Sequence, residues 1–311
     1  MHKRVLVVGG FALLLALPTS IFANGNQNSI KEKFNHSIGV VDQSEPWDYW
    51  YETLISADAQ GFYKQENLQQ DLECNNAVCI TTEKDHGDHF ARLALSPQQY
   101  PGNVNIAQLS EQRDAYSYDA AHRWFPTTSN PVTMETRMRF SPNFHADGTG
   151  GAIGTTIVEL WNAPDYYTDP TADITRDNSG FRTHFENTFV MGFTWTDPAT
   201  LGGLFKGFKA TVSDKTGLPS ASYDLSGVNI NDWFTGKIVW SVDAQGVQTI
   251  SFYIDDVLVG STVPAIPMPP LTVNIIQDNA QVTFGPGGIV YVRANPTASQ
   301  YLDVDYVSIK Q

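Results

Sequence analysis

The sequence is poor in positive charge and in cysteine. It has 19 Lys and Arg residues against 33 Asp and Glu residues, and a formal net charge of −14. Binding nucleic-acid phosphates requires clustered Lys and Arg, so this composition argues against a nucleic-acid partner. The two cysteines, Cys74 and Cys79, enclose four residues. In an oxidising compartment this spacing predicts a small local disulfide that pins a turn, with two free thiols as the alternative.

Long apolar runs are also scarce. The one clear run, residues 5–17, follows a basic segment at residues 2–4 and precedes a small-residue site ending at Ala23, which is typical of a secretory signal peptide. We therefore predict a signal peptide over residues 1–23 and a secreted product, extracellular or periplasmic. The run is shorter than the roughly 20 residues that a membrane span needs, so we expect no membrane span after signal removal.

Apolar stripes at helical spacing are missing, and strand alternation takes their place. Residues 132–140 alternate apolar side chains with Glu135, Arg137 and Arg139, which predicts a strand with one buried face. The same period predicts one buried face for Ile238, Trp240 and Val242, for Ile250, Phe252 and Ile254, and for Leu302, Val304 and Tyr306. The pair Asp255-Asp256 tolerates tight-turn geometry and predicts a hairpin.

The chain after the predicted signal peptide divides into two parts. Residues 24–45 are polar and irregular, and we predict a flexible leader. Residues 46–311 hold enough apolar and aromatic residues for a single sandwich or barrel core. Turn-rich segments separate the strand-like runs, among them residues 162–180 and 213–227, and they are long enough to wall a groove or hold a ligand.

The order of several strand-like segments resembles a known group of proteins. "ETRMRF" at residues 135–140 is followed by "IVELWNAP", "GFKATV", "VWSVDAQGVQTISFYIDDVLVGST" and the closing "YLDVDYVSIKQ". This order is similar to the concanavalin A-like lectin/glucanase superfamily, and most like the family 16 glycoside hydrolases and their secreted relatives. The resemblance covers roughly residues 47–311. It implies an all-β jelly-roll sandwich of two curved antiparallel sheets, with a polysaccharide groove across the concave sheet.

The catalytic signature of family 16 is not present. Those hydrolases carry ExDxE or ExDxxE on one strand, so that alternate carboxylates point into the groove. After Trp161 this sequence has scattered acids instead, with Glu186 the only glutamate in residues 162–195. The resemblance therefore implies the fold and a glycan ligand, while the activity is left open.

The best candidate site residues surround Trp161. Glu159 and Trp161 share one face of a predicted strand, where an indole could stack on a sugar ring while the carboxylate accepts hydroxyl hydrogen bonds. The alternative is a core Trp161 and a Glu159 paired with an arginine such as Arg137. Further candidate carbohydrate-binding residues are Asn162, Trp195, Asp278 and Asn279, although Asp278-Asn279 could equally form an Asx-type turn.

Signals for a metal are weaker. Asp169, Asp173 and Asp177 lie in one predicted loop and could bind calcium, with a solvated acidic loop as the alternative. The segment "DHGDHF" at residues 85–90 contains ligand-type side chains but is typical of a tight turn that leads into a strand. We therefore expect no required cofactor, with calcium possible.

Three functions from different classes remain open at this point. The first is a secreted carbohydrate-binding, lectin-like protein whose partner is a polysaccharide or glycan. The second is a glycan-active enzyme, either a hydrolase with the carboxylates Glu159 and Glu186 or a lyase with a Tyr and His pair. The third is a structural or adhesive surface protein. The sequence leaves undecided whether the chain is an enzyme.

Overall fold

The computed structural model describes residues 29–34, 50–57, 63–67, 78–97, 105–111, 124–162, 189–213, 219–285, 288–293 and 296–311. Nearly all the regular structure in these ranges is β-strand, with one short 3₁₀ turn at Thr200–Gly203. The strands form two eight-stranded antiparallel sheets and a separate hairpin. The predicted all-β sandwich of two antiparallel sheets is therefore confirmed. The predicted signal peptide lies outside the described residues.

The first sheet contains the strand that ends the chain. Its members are β1 (Ser29–Glu32), β4 (Val78–Asp85), β5 (Asp88–Leu95), β7 (Val132–Phe140), β12 (Phe234–Val242), β13 (Gln248–Ile254), β14 (Val257–Thr262) and β18 (Gln300–Lys310). The spatial order is β14-β13-β12-β7-β18-β5-β4. The beginning of β18 pairs with β5 and its end with β1, so both lie on the same side of this long strand.

The second sheet contains the predicted Glu159 strand at its centre. Its members are β2 (Trp50–Ala57), β3 (Tyr63–Asn67), β6 (Asn105–Glu111), β8 (Thr155–Trp161), β9 (Val190–Thr196), β10 (Gly207–Ser213), β11 (Pro219–Asp224) and β15 (Thr272–Asp278). The spatial order is β11-β10-β9-β8-β15-β6-β2-β3. The separate hairpin pairs β16 (Ala280–Gly285) with β17 (Gly288–Arg293).

Side chains from the facing sides of the two sheets form one hydrophobic core. Its largest members are aromatic: Phe140 contacts Phe208 across the sandwich with ring centroids 5.5 Å apart, and Phe193 contacts Phe252 at 5.8 Å. Strand β7 alternates buried and half-buried residues along its whole length, as predicted. This alternation is what allows each strand to give one side to the core and the other to the surface.

Two hairpins of the first sheet have two-residue turns. His86 and Gly87 join β4 to β5, and Asp255 and Asp256 join β13 to β14, all four with positive φ. Turns of this kind match the right-handed twist of the strands they join, and Asp and Gly are common in them. The predicted hairpin at Asp255-Asp256 and the predicted turn in "DHGDHF" are both confirmed.

The outer side of the first sheet carries buried charge. Asp303 is fully buried and accepts hydrogen bonds from Arg92 Nε at 2.6 Å and from Arg139 Nε at 2.8 Å. Arg137 Nη1 donates to Asp305 at 2.6 Å. The arginine residues predicted on one face of β7 therefore pair with the acidic residues of β18, which lies beside it.

The prediction that Tyr306 shares the buried face of β18 is wrong. Pairing of β18 with β7 shifts register between Val304 and Tyr306, which marks a β-bulge at Asp305. A bulge adds one residue and reverses the alternation beyond it. Val307 and Ile309 are therefore buried, while Tyr306 donates a hydrogen bond to Glu135 on the outer side at 2.6 Å.

Two segments predicted to be irregular contain strands. Within the leader predicted over residues 24–45, Ser29–Glu32 form β1, and the following Phe34 lies in the hydrophobic core. Pairing with the end of β18 explains why this polar stretch is ordered as an edge strand. Likewise β11 lies inside the turn-rich segment at residues 213–227. In the part of the chain that the structure describes, no helix is long and apolar enough to span a membrane.

Candidate functional site

The candidate site lies on the outer side of the second sheet, at the centre of β8. Val158 and Leu160 belong to the hydrophobic core, so Glu159 and Trp161 must point to the opposite side. Both outer residues are nevertheless buried, with 2% and 5% of their surface exposed. The prediction that Glu159 and Trp161 share one face is therefore consistent with the strand geometry.

Glu159 makes one described hydrogen bond through its side chain. It lies directly across from Asn274 of β15, and Asn274 Nδ2 donates to Glu159 Oε1 at 2.7 Å. The other carboxyl oxygen, Oε2, accepts no hydrogen bond from any residue that the structure describes. A buried carboxyl group with one amide donor is poorly compensated for the loss of water.

The environment of Glu159 favours its protonated form. Burial raises the pKa of Glu159 from 4.5 to about 8, while the hydrogen bond from Asn274 opposes this rise in part. At neutral pH the group is therefore a carboxylic acid, with one O–H donor and one carbonyl acceptor. A hydroxyl-rich ligand could exchange hydrogen bonds with both atoms.

Gly192 of β9 makes room for Glu159. The two residues are direct cross-strand partners, and a Cβ atom placed on Gly192 would lie 2.6 Å from Glu159 Cβ and 2.6 Å from the Val158 carbonyl oxygen. Such a contact is far too short, so any other residue at this position would push the two strands apart. The backbone of β9 thus lies closer to Glu159 than a side chain would permit.

The outer-side positions that surround Glu159 carry uncharged side chains. On β8 these positions are the residues two before and two after Glu159. On β9 and β15 they are the positions directly opposite and diagonal to Glu159. These positions are occupied by Ile157, Trp161, Val190, Gly192, Thr194, Thr272, Asn274 and Ile276. The site therefore combines one acid, one amide, threonine hydroxyls and an indole.

Two other predicted binding residues connect strands at the ends of β8. Asp278 Oδ1 accepts a hydrogen bond from the Thr155 backbone N–H at 3.0 Å. Asn162 Oδ1 accepts one from the Phe189 N–H at 3.0 Å, just beyond the other end of the strand. Asp278 is on the same side of β15 as Asn274 but four residues away, about 13 Å along the strand. It is thus distant from the Glu159 carboxyl.

Trp195, a predicted carbohydrate-binding residue, lies on the opposite side of the second sheet from Glu159. Alternation along β9 places Phe193 and Trp195 on the core side, and Trp195 is fully buried with its Nε1 donating to the His145 carbonyl oxygen at 2.8 Å. Asn279 is 2% exposed and follows the last residue of β15, so it is not on the face of Glu159 either. Neither side chain adds to the surface around Glu159.

The predicted alternative of a Glu159–Arg137 pair is also wrong. Arg137 belongs to β7 in the other sheet and pairs with Asp305. The weak catalytic candidate Glu186 lies outside the described residues. So does Cys74, and the disulfide with Cys79 remains a prediction.

The described residues do not support a metal site. No group of three or more His, Cys, Asp or Glu side chains there is arranged to hold a metal ion. The calcium candidates Asp169, Asp173 and Asp177 lie outside these residues.

Sequence reasoning missed Asn274 and Gly192. Asn274 is a polar residue flanked by the apolar Val273 and Ile275, which was the available signal. Its contact with Glu159 joins residues 115 positions apart, and only the register of the sheet brings them together. The sequence did not indicate the role of Gly192, because a glycine within a strand can mark a bulge, a bend or a close approach of another group.

Comparison with solved structures finds distant similarity. A prokaryotic beta-1,3-1,4-glucanase (lichenase) derived from a mouse hindgut metagenome is 11% identical, with a TM-score of 0.45 over 91% of this chain and 99% of that chain. An endo-beta-1,4-glucuronan lyase from the fungus Trichoderma reesei is 7% identical, with a TM-score of 0.44 over 77% and 89%. The Emp47p carbohydrate recognition domain is 12% identical, with a TM-score of 0.39 over 77% and 90%.

Comparison by sequence finds no protein-family model and no curated protein that matches the chain. The structural neighbours include glucanases, lyases and carbohydrate recognition domains. The two antiparallel sheets described above are the architecture that the predicted resemblance to concanavalin A-like lectins and glucanases implies.

Proposed function

We propose that the chain is a secreted carbohydrate-binding protein, with its glycan site on the outer side of the second sheet around Glu159. The observation that carries the proposal is the buried pair of Glu159 and Asn274 beside Trp161. Secretion is proposed from the signal-peptide pattern of residues 1–23. The structural neighbours named above are a glucanase, a glucuronan lyase and a carbohydrate recognition domain.

The chemistry around Glu159 suits a polyhydroxylated ligand. A carboxyl group offers acceptor oxygens, an amide offers a donor and an acceptor, and sugar hydroxyl groups can satisfy all of them. The Trp161 ring adds an apolar surface for the C–H face of a sugar. Since Glu159 and Trp161 are both buried in the free chain, binding has to expose them to the ligand.

Affinity electrophoresis tests this proposal. The purified mature chain is run through gels that contain soluble β-1,3-1,4-glucan or alginate, with and without calcium. We expect retarded migration in at least one gel. Trp161→Phe should weaken retention two- to fivefold, because an aromatic contact contributes about 0.5–1.5 kcal/mol and the smaller ring keeps only part of it.

Two controls separate binding from folding. Ser251→Ala changes a half-buried residue on the outer side of the first sheet and should migrate like the wild type. Each variant is melted and examined by circular dichroism, and only variants that remain folded are compared. Unretarded migration of the folded wild type in every gel would overturn the proposal.

A glycan-active enzyme is the second candidate, and one observation favours it. A carboxylic acid that keeps its proton at neutral pH, as the raised pKa of Glu159 indicates, is what a general acid in glycoside cleavage requires. The same polysaccharides are incubated with the chain, and reducing ends and unsaturated ends are measured. Release of either product that is lost in Glu159→Gln would support the enzyme over the binding protein.

A further inference from the structure

Building on the proposed function, we propose that carbohydrate binding at Glu159 is coupled to release of its proton. Ligand hydroxyl groups donate hydrogen bonds to Oε2, the carboxyl ionises, and the proton passes to solvent or buffer. No bond to carbon forms or breaks in this step. The glycan and the proton thus compete for the same carboxyl oxygen.

The geometry of the carboxyl explains the competition. Asn274 Nδ2 already donates to Oε1, and no described residue donates to Oε2. An ionised carboxylate has about four lone-pair positions for donors, so the free site supplies too few for a buried charge. A sugar hydroxyl placed at Oε2 supplies the donor that the charged form lacks, and it therefore favours ionisation.

No described side chain that packs beside Glu159 can supply a compensating charge. The residues of β9 beside Glu159 are Val190, Gly192 and Thr194. Those of β15 are Thr272, Asn274 and Ile276. The charged residue on the same side of β15 is Asp278, about 13 Å away along the strand. Lys209 of β10 lies two strands away and pairs with Asp224 at 3.3 Å.

The direction of the pH dependence follows from linkage. In the free chain the pKa of Glu159 is raised to about 8, and in the complex the new donors lower it. Between the two values binding releases up to one proton, so affinity rises with pH by up to about tenfold per pH unit. Above pH 8 the free carboxyl is already ionised, and the affinity no longer changes with pH for this reason.

Calorimetry measures the released proton directly. A β-1,3-1,4-glucan oligosaccharide, and an alginate oligosaccharide in parallel, are titrated into the full mature chain at pH 7 in phosphate and in Tris. These buffers differ widely in heat of protonation, so a difference in binding heat gives the number of protons released. We expect between half a proton and one proton to be released when the uncharged β-1,3-1,4-glucan oligosaccharide binds, and fewer with alginate, whose carboxylates oppose ionisation of Glu159.

Variants identify the source of the proton. Glu159→Gln cannot ionise, so its binding heat should be the same in both buffers and its affinity constant from pH 5.5 to 8. The matched control is Glu135→Gln, which removes a carboxyl group from the outer side of the other sheet and should keep the wild-type proton release. Proton release that persists in Glu159→Gln would contradict the assignment.

The possible failures are distinguishable. Binding with the same heat in both buffers and no change of affinity with pH would overturn the coupling while leaving the carbohydrate-binding function in place. No binding heat with either oligosaccharide at any pH would overturn the function and the coupling together. A proton taken up on binding, instead of released, would reverse the sign and contradict the coupling.

Discussion

Glu159→Gln should stabilise the folded chain, and the gain should grow with pH. Glutamine keeps the shape of the protonated carboxyl and can still accept the hydrogen bond from Asn274. Glutamine cannot ionise. In the wild type at neutral pH, Glu159 is ionised in the unfolded state and must take up a proton on folding, and the substitution removes this free-energy cost. The substitution therefore isolates the cost of burying this one group.

The magnitude follows from the two pKa values. The pKa of Glu159 rises from 4.5 to about 8 on folding, which corresponds to about 5 kcal/mol at about 1.4 kcal/mol per pH unit. Below pH 4.5 both the folded and the unfolded chain are protonated, and this group does not reduce stability. As pH rises toward 8 the folded state holds more protons than the unfolded state, so the free energy of unfolding decreases.

Urea unfolding, followed by tryptophan fluorescence at several pH values, measures the effect. The variant should exceed the wild type by about 1 kcal/mol at pH 5 and by about 3 kcal/mol at pH 7, from the same pKa difference. Taking the difference between the two proteins cancels the titration of all other groups.

One result would refute the reasoning. If the difference in unfolding free energy between Glu159→Gln and the wild type is the same at pH 5 and pH 7, Glu159 is not protonated in the folded chain. A carbon-13 NMR titration of the Glu159 carboxyl would then give a pKa near its ordinary value. The proton-release inference would fail with it.

Two further substitutions test the packing that holds the two outer faces. Gly192→Ala should cost about 2–3 kcal/mol in urea unfolding because the added Cβ would overlap Glu159 and the adjacent backbone. Gly227→Ala, whose Cβ would have no atom within 4 Å, should change the stability by less than about 0.5 kcal/mol. Equal effects of the two substitutions would contradict the close approach of Gly192 to Glu159. Asp303→Asn should cost about 1.5–3 kcal/mol because it removes the buried charge that accepts hydrogen bonds from two partly buried arginines. Asp256→Asn, in an exposed ion pair, should be nearly neutral. An Asp303→Asn variant as stable as the wild type would contradict the buried network.

Local patterns were sufficient to predict most strands of the first sheet. The alternation in residues 132–140 and 248–254 reports directly which side of a strand is buried, and the Asp255-Asp256 turn follows from its residue types. The bulge at Asp305 could not be predicted, because an extra residue in one strand is visible only against its partner. The same limit applied to β1, whose order depends on the distant end of β18.

The candidate site was predictable in part. Glu159 and Trp161 share a face because side chains alternate between the two faces of a strand, so residues two apart lie on the same face. This alternation can be seen in the sequence. Trp195 was misplaced although Met191 and Phe193 alternate with Gly192 and Thr194 before it, a pattern that already favours the core side for Trp195. Asn274 contacts Glu159 because β15 is the neighbour of β8 in the sheet. The order of strands depends on the whole sheet, so no single segment of the sequence predicts this contact.

The most direct test of the proposed function compares three proteins in polysaccharide gels. They are the wild type, a Glu159→Leu variant that keeps a side chain of similar size without hydrogen-bonding groups, and Ser251→Ala on the other sheet, each shown to be folded. The account predicts that β-1,3-1,4-glucan or alginate retards the wild type and Ser251→Ala but not Glu159→Leu. Equal retardation of all three, or none for the wild type, would contradict a carbohydrate site at Glu159.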